Sequence, residues 1–255
     1  MLQFKDNESF IQNYDGVCAI KAENSYTFLK DLFEFETKYE KNSITINNKT
    51  YSIKDCMIVN DLTKVSDLFN FTIKNYLTQL INNNENWNVE KIINFSLLND
   101  ISNVCNQKIT NNFINVNVDW SKAYKNFFEL NNELFVDKDI MLSWIDYQTN
   151  LEKKVIIFQN FDSLKISDLY KFTSKFHFIL LTNDNILKNC EKFEEFELCS
   201  IYKSQKIYEI FAIDPILSWI SNRLKKEVLK ENLLNDFKEI FLDDNKYEFY
   251  KFLTN

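Results

Sequence analysis

Glycine occurs once in this chain of 255 residues, at Gly16, and proline once, at Pro215. An average protein carries about 7% Gly and about 5% Pro, so the usual means of turning a chain sharply are missing. Gly-rich phosphate loops, dinucleotide fingerprints and nucleophile elbows each need several backbone positions without a Cβ, and none can be built here. Standard nucleotide binding is thereby excluded. His177 is the only histidine and Arg223 the only arginine. A paired-His metal site within one chain is ruled out, and a His-dependent triad has a single centre to form around. Lys, Asn, Ile and Phe are read from AT-rich codons while Gly, Pro, Arg and Ala are not, so the skew reports base composition before it reports selection on fold.

Bulk properties bound the rest. A hydrophobic content of 45%, with 16% aromatics, suffices for a packed core in one large domain or two small ones. The net charge of -7 argues against a broad nucleic-acid coat but leaves room for a local Lys-lined face or channel. The five cysteines, Cys18, Cys56, Cys105, Cys190 and Cys199, are odd in number and lack C-x-x-C spacing. Neither a disulfide framework nor a zinc cage is indicated, and a reducing cytoplasm is the expected location. With no N-terminal apolar signal and no run near the roughly 18 apolar residues of a span, no membrane partner is expected.

Without Gly and Pro, Asn has to serve as turn and cap residue, because it tolerates positive φ and bonds its own backbone. Residues 17–21 (VCAIK) read as a buried strand, and 26–39 as a helix with Phe28, Leu29, Leu32, Phe33 and Phe35 on one stripe. Residues 44–46 and 50–53 flank Asn47 and Asn48, which is hairpin chemistry, and 57–59 add an apolar stretch. The periodicity then becomes helical: one helix carries Leu68, Phe69, Ile73, Tyr76, Leu77, Leu80 and Ile81, and others span 89–104, 120–130 and 138–147. Alternation at 114–118 (INVNV) predicts a short exposed strand or extended segment. Strand signals return at 155–158 (VIIF), 178–181 and 196–202, with a helix at 167–176 between the first two, a β-α-β succession that implies parallel pairing. After residue 210 the pattern is helical again, with Asp214 as cap, Pro215 opening the helix, and one apolar face from Ile216 to Phe237. The fold class is therefore α/β: a head in two pieces, 1–59 and 151–206, a helical leg domain at 60–150, and a C-terminal helical extension at 207–255.

Few side chains suggest chemistry. The order VIIF, loop, Asp162, helix, FHFILL resembles the second half of a P-loop ATPase core, in which a strand delivers an acid toward magnesium. The loop after the first strand, with Glu23, Asn24, Ser25, Tyr26 and Thr27, has no glycine and no Lys-Ser/Thr pair. The expectation is a sheet kept for its shape without its nucleotide. His177, between Phe176 and Phe178, reads as a packed or edge histidine. Residues 191–197 (EKFEEFE) read as a solvated amphipathic segment, with a carboxylate metal site as the alternative. A degenerate NTPase, or a nuclease using Asp162, Glu195 and Glu197, is the enzyme reading kept beside a binding one.

One stretch carries a family resemblance. Lys49, Ile53 and Lys54, followed by Met57, Ile58, Val59, Asp61 and Leu62, resemble the signature of the accessory adaptation protein of type II-A CRISPR systems. The Lys153-Lys154 pair before an apolar strand ending in Asn160 matches as well, and the likeness spans about residues 1–206. The resemblance implies a P-loop-ATPase-like head without ATPase activity and helical legs that pair subunits into a homotetrameric ring. It implies binding of double-stranded DNA ends without sequence preference in a Lys-lined hole, in company with the CRISPR integrase complex and effector nuclease. Lys49, Lys54, Lys108, Lys122 and Lys125 are the DNA-binding residues expected, with no catalytic residue and no cofactor. Several family members bind calcium through acids just before the last leg helices; here Asn115 and Asn117 stand in that segment and Asp119 alone keeps its charge. Calcium prefers six to eight oxygens with several carboxylates, so calcium-independent assembly, or at most weak binding at Asp119, is predicted.

Overall fold

A computed structural model describes residues 1–5, 9–72, 75–109, 114–149, 152–184, 186–209 and 213–229. They form β1 (Leu2–Phe4), β2 (Ser9–Ile11), β3 (Val17–Ala22), α1 (Ser25–Tyr39), β4 (Ile44–Ile46), β5 (Lys49–Tyr51) and β6 (Met57–Val59). Helices α2 (Val65–Leu68), α3 (Tyr76–Asn82), α4 (Val89–Ile92), α5 (Phe95–Ile109), α6 (Trp120–Phe127) and α7 (Lys138–Tyr147) follow. The chain then runs through β7 (Lys154–Gln159), α8 (Ile166–Tyr170), β8 (Phe176–Thr182), β9 (Cys199–Lys203), β10 (Lys206–Glu209) and α9 (Ile213–Leu224). The protein is mixed α/β and divides into two compact units: Met1–Thr63 with the described residues from Val136 onward, and Lys64–Phe135.

The α/β unit is built on a six-stranded sheet in the order β10-β9-β3-β8-β7-β6. The five strands from β9 to β6 are mutually parallel, and β10 is antiparallel on β9. A parallel strand covered on both faces needs a continuous apolar run, and all seven residues of β8 (FHFILLT) are buried. On one face, Cys18, Ile20, Ala22, Val155, Ile157, Ile179 and Leu181 pack against Phe28, Leu29 and Leu32 of α1 and against Leu2, Phe4, Ile44 and Ile46 of a second sheet. That sheet is antiparallel, in the order β2-β1-β4-β5. The opposite face is aromatic: Phe158 stacks on Phe178 at 6.3 Å, Phe176 lies 5.9 Å from Phe178, and Trp144 of α7 lies 6.1 Å from Phe176.

Helix α7 is tied to this unit further by Lys138 to Asp168 at 2.7 Å and Lys175 to Asp146 at 3.6 Å. The sequence pattern places these residues in the helical leg domain at 60–150; in the structure α7 belongs to the compact unit that holds the sheet.

The scarce glycine is well placed. Gly16 has φ +91°, and a Cβ there would sit 2.6 Å from the Cβ of Thr173, so both the dihedral and the close approach demand glycine. Elsewhere asparagine takes over. Asn47 and Asn48 turn the β4-β5 hairpin with φ of 47° and 70°, the pair of positive angles that matches strand twist in a two-residue turn. Strand β5 stops at Tyr51, short of the expected 53, because the buried Glu36 carboxylate draws residues 52–53 out of the ladder. Its oxygens accept from the Ser43 amide and hydroxyl, the Ser52 hydroxyl and the Ile53 amide. Burial acts to raise the Glu36 pKa, but these donors outweigh it and hold the carboxyl below its ordinary value.

The same chemistry breaks helices that the apolar period alone would join. The expected helix through 68–81 is two, α2 and α3, because Asn70 accepts from the Thr72 amide at 3.0 Å and Asn75 caps α3 through the Leu77 amide at 3.1 Å. The expected helix at 89–104 is likewise split, with Asn94 accepting from the Leu97 amide at 3.0 Å to start α5. The alternating segment 114–118 forms no strand; the Ile114 carbonyl is held by Ser102 and Asn106. Helix α8 ends at Tyr170 rather than 176, and β9 begins at Cys199 because 3-10 turns occupy Phe193–Leu198. Helix α9 starts at Ile213, placing Asp214 and Pro215 in its first turn rather than leaving Asp214 outside as a cap. It ends at Leu224, where Lys225 takes a φ of 52°, and the expected continuation from 230 to 255 lies outside the described residues. Strands β1, β2 and β10 have three or four residues each, too short to show a period, and the sequence did not reveal them. Among the described residues, no helix is long and apolar enough to cross a membrane.

Candidate nucleic-acid interface

Open α/β sheets bind ligands outside the carboxyl ends of their parallel strands, so that edge comes first. Asparagines stand just beyond four of the strand ends: Asn24 after β3, Asn60 after β6, Asn160 after β7 and Asn183 after β8. They close the edge. The Asn183 Oδ1 accepts from the Ser25 amide at 2.5 Å, and Asn24 Oδ1 accepts from the Thr27 amide at 3.0 Å. These are first-turn donors of α1, the groups that would hold a phosphate in a nucleotide-binding sheet. Gln159 and Asn160 each donate to the Ser25 hydroxyl at 3.1 Å, and Asn160 accepts from the Asn183 amide at 2.9 Å. Ser25 is buried; its amide donates to Asn183 and its hydroxyl oxygen accepts from Gln159 and Asn160.

The acids on this edge are also engaged. Asp162 and Asp184 share the Lys188 ammonium at 3.1 and 2.5 Å. Hydrogen bonds to Asp184 and then Asp162 raise the Lys188 pKa, while burial and then the Asp162 charge raise that of Asp61. Glu195 accepts from the Glu191 amide at 2.6 Å, and Glu197 is exposed. Among the described residues, no three His, Cys, Asp or Glu side chains gather as a metal site.

The amino-terminal edge of the sheet is different. Here a half-open cleft of about 390 Å³ is lined by Lys49, Thr50, Tyr51 and Ser52 of the hairpin, Asn42, Asp55 and Cys56 around it, and Glu152, Lys153, Lys154 and Val155 at the start of β7. The Lys49 ammonium lies 3.9 Å from Glu152 and 5.5 Å from the Tyr51 ring centroid. Behind the cleft, His177 is paired with Val155 across β7 and β8 and wedged between the rings of Tyr14 and Tyr51 at 5.8 and 5.7 Å. It is 7% exposed, and its Nδ1 finds no hydrogen-bond partner among the described residues. Burial first, then the Lys153 and Lys49 ammonium groups, push its pKa down to about 4. The imidazole is thus neutral at pH 7, and it registers the positive potential of the cleft.

Of the five expected lysines, Lys49 lines this cleft and Lys54 is exposed on the neighbouring 3-10 turn. Lys108 at the end of α5 and Lys122 and Lys125 on α6 belong to the helical unit and are exposed there. Lys122 is 3.3 Å from Asp119. Asp119, the expected remnant of a calcium site, starts α6 instead: its carbonyl accepts from the Lys122 and Ala123 amides, and its carboxylate faces the Lys122 ammonium. Lys153 and Lys154 were not among the site residues expected. The doubled lysine ahead of a buried apolar strand was the available signal, since a strand's first residues must emerge at a sheet edge.

Compared with known proteins, the chain matches no family model and no curated relative.

Proposed function

We propose that this chain is a non-catalytic protein that binds double-stranded DNA ends, and that it has kept the sheet of a P-loop ATPase while losing the nucleotide. In this reading it assembles as a homotetrameric ring and acts in CRISPR spacer acquisition with the integrase complex and effector nuclease. The observation that carries the reading is the contrast between the two edges of one sheet. The carboxyl edge, where a nucleotide would sit, has its α1 amide donors bonded to Asn24 and Asn183; the amino edge collects Lys49, Lys153 and Lys154 around a cleft. The order of the parallel strands, with the first strand lying between the last two, supports the ATPase-like ancestry.

The exposed apolar residues of the helical unit support assembly. Leu97, Leu98, Ile101 and Val104 of α5 are all exposed, and a monomer rarely leaves such a stripe uncovered. Symmetry also accommodates the net charge of -7, since four copies concentrate a few lysines on an inner surface while the exterior stays acidic. Phosphate contact is assigned to Lys49, Lys54, Lys108, Lys122 and Lys125, with Lys153 and Lys154 added.

Solution mass combined with affinity for linear against covalently closed DNA tests the reading. A tetramer that prefers linear DNA is expected. Its affinity should fall by roughly three orders of magnitude between about 50 and 200 mM salt if six or more phosphates are neutralised. A monomer indifferent to DNA, or magnesium-dependent cleavage of the DNA, overturns it.

A further inference from the structure

The amino-edge cleft has the wrong shape for the side of a duplex. At about 390 Å³ it falls at the small end of ligand pockets, which run from about 300 to 1,000 Å³, and it is a recess rather than a track. Phosphates along a duplex flank lie on a rod whose convex surface cannot enter a recess of this size. A chain terminus can. We propose that this cleft is a subsite for the terminal phosphate monoester of a nucleic-acid end. The inference rests on the DNA-end reading above and adds to it the chemical group that is recognised.

The lining suits that group. Lys49 and Lys153 both line the recess and act electrostatically on His177 behind it, and a terminal monoester carries close to two negative charges at neutral pH where an internal diester carries one. Thr50 supplies a hydroxyl whose oxygen already accepts from Asn42 at 3.1 Å, so its hydrogen remains free to donate. Two carboxylates, Asp55 and Glu152, also line the cleft. Glu152 is the movable one: its side chain is 83% exposed and holds Lys49 at the long distance of 3.9 Å, so an entering phosphate displaces it to solvent and takes its place. His177, buried behind Tyr51, senses the exchange because the lysine charges act on it directly.

The test compares blunt duplexes of one sequence bearing either 5′-phosphate or 5′-hydroxyl ends, binding the full-length protein at neutral pH. The phosphorylated duplex is expected to bind about tenfold more tightly, the worth of one added charge-assisted contact. The preference should vanish in a Lys49→Gln/Lys153→Gln variant, whose substitutions fall on exposed side chains and whose unfolding curve checks the fold. Deoxyadenosine 5′-monophosphate is titrated separately, with deoxyadenosine as control, while the NMR signal of the single imidazole is followed. The monophosphate alone should move it, and only with the lysines in place. Equal affinity for both duplex ends overturns the inference and leaves DNA binding standing. A monophosphate response that needs the lysines, with no duplex bound at all, supports the phosphate subsite and overturns the DNA-end reading. An imidazole signal that ignores the monophosphate counts against the subsite whatever the duplexes do.

Discussion

In the α/β unit Val155, Ile156, Ile157 and Phe158 lie buried in a row along β7, and β8 beside it is buried from end to end. In the helical unit Leu97, Leu98, Ile101 and Val104 stand exposed along α5, and Leu80, Ile92, Phe127, Phe128, Leu134 and Phe135 of the same unit are exposed too. Only Leu68, Phe71 and Tyr124 are buried apolar residues there, among those described. One amino-acid mixture thus yields two outcomes. A sheet with layers on both faces covers every residue of a strand, whereas short helices broken by asparagine cover one stripe each and leave the next uncovered. Among the described residues, the first unit buries its apolar side chains and the second leaves many of its own exposed.

The sharpest way to break this contrast is to remove the same side chain from each unit. Phe158→Ala should cost about 3–5 kcal/mol in denaturant unfolding, because its ring is enclosed by Phe161 and Phe178. Phe127→Ala, on a half-exposed ring, should cost less than about 1 kcal/mol in the same measurement. Comparable losses would mean that the helical unit has a core of its own.

The proposed assembly offers the next largest effect. Leu97→Asp with Ile101→Asp should weaken self-association roughly 100-fold, about 3 kcal/mol of lost apolar burial, read as a fall in mass on dilution in sedimentation experiments. An unchanged mass would detach the α5 face from assembly.

Glu36 sharpens the comparison from the side of the head, where a single buried carboxylate ties α1 to the hairpin that carries Lys49. Glu36→Gln should lose about 1.5–3 kcal/mol of stability at neutral pH, the range for hydrogen bonds to a charged group. Because the folded-state pKa lies below the unfolded value of about 4.3, the contribution is fully present above that pH and is lost as pH falls through the folded pKa. The acid limb of the stability curve should therefore flatten in the variant. A parallel curve would show that the donors around Glu36 matter by shape and not by charge.

The smallest effect is a titration. The only imidazole in the chain should titrate near pH 4, and Lys153→Gln should raise that value without restoring the ordinary one, since burial is the larger cause. A normal histidine titration in the parent protein would place His177 in solvent and open the floor of the cleft.

Legibility from sequence followed the length of each element. The strand at 17–21, the helix at 26–39, the Asn47-Asn48 turn and the run at 155–158 are long or chemically distinctive, and each lies where its pattern pointed. In the middle third a period of 3.6 cannot tell a continuous helix from two in phase, and the breaks are made by single asparagine side chains such as Asn75 and Asn94. At the candidate site, Lys49 stands in the stretch that carries the family resemblance, and spacing alone does not mark it as a DNA contact. Lys153 and Lys154 drew attention only as a pair, since nothing local says what stands across from a strand's first residues.

The sequence by itself determined exclusions and local conformations: one glycine cannot make a phosphate loop, and asparagines with positive φ can replace the rest at turns. That much follows from sterics within a few residues. Tertiary structure alone decided that Lys49 and Lys153, 104 positions apart (153 minus 49), share one recess, and that Ser25 meets Asn160 and Asn183 across three strand ends. Those meetings depend on β3 lying beside β8 and on β7 pairing with both β6 and β8. Strand order is a property of the whole sheet, set by which apolar faces are buried together, and no window of sequence contains it.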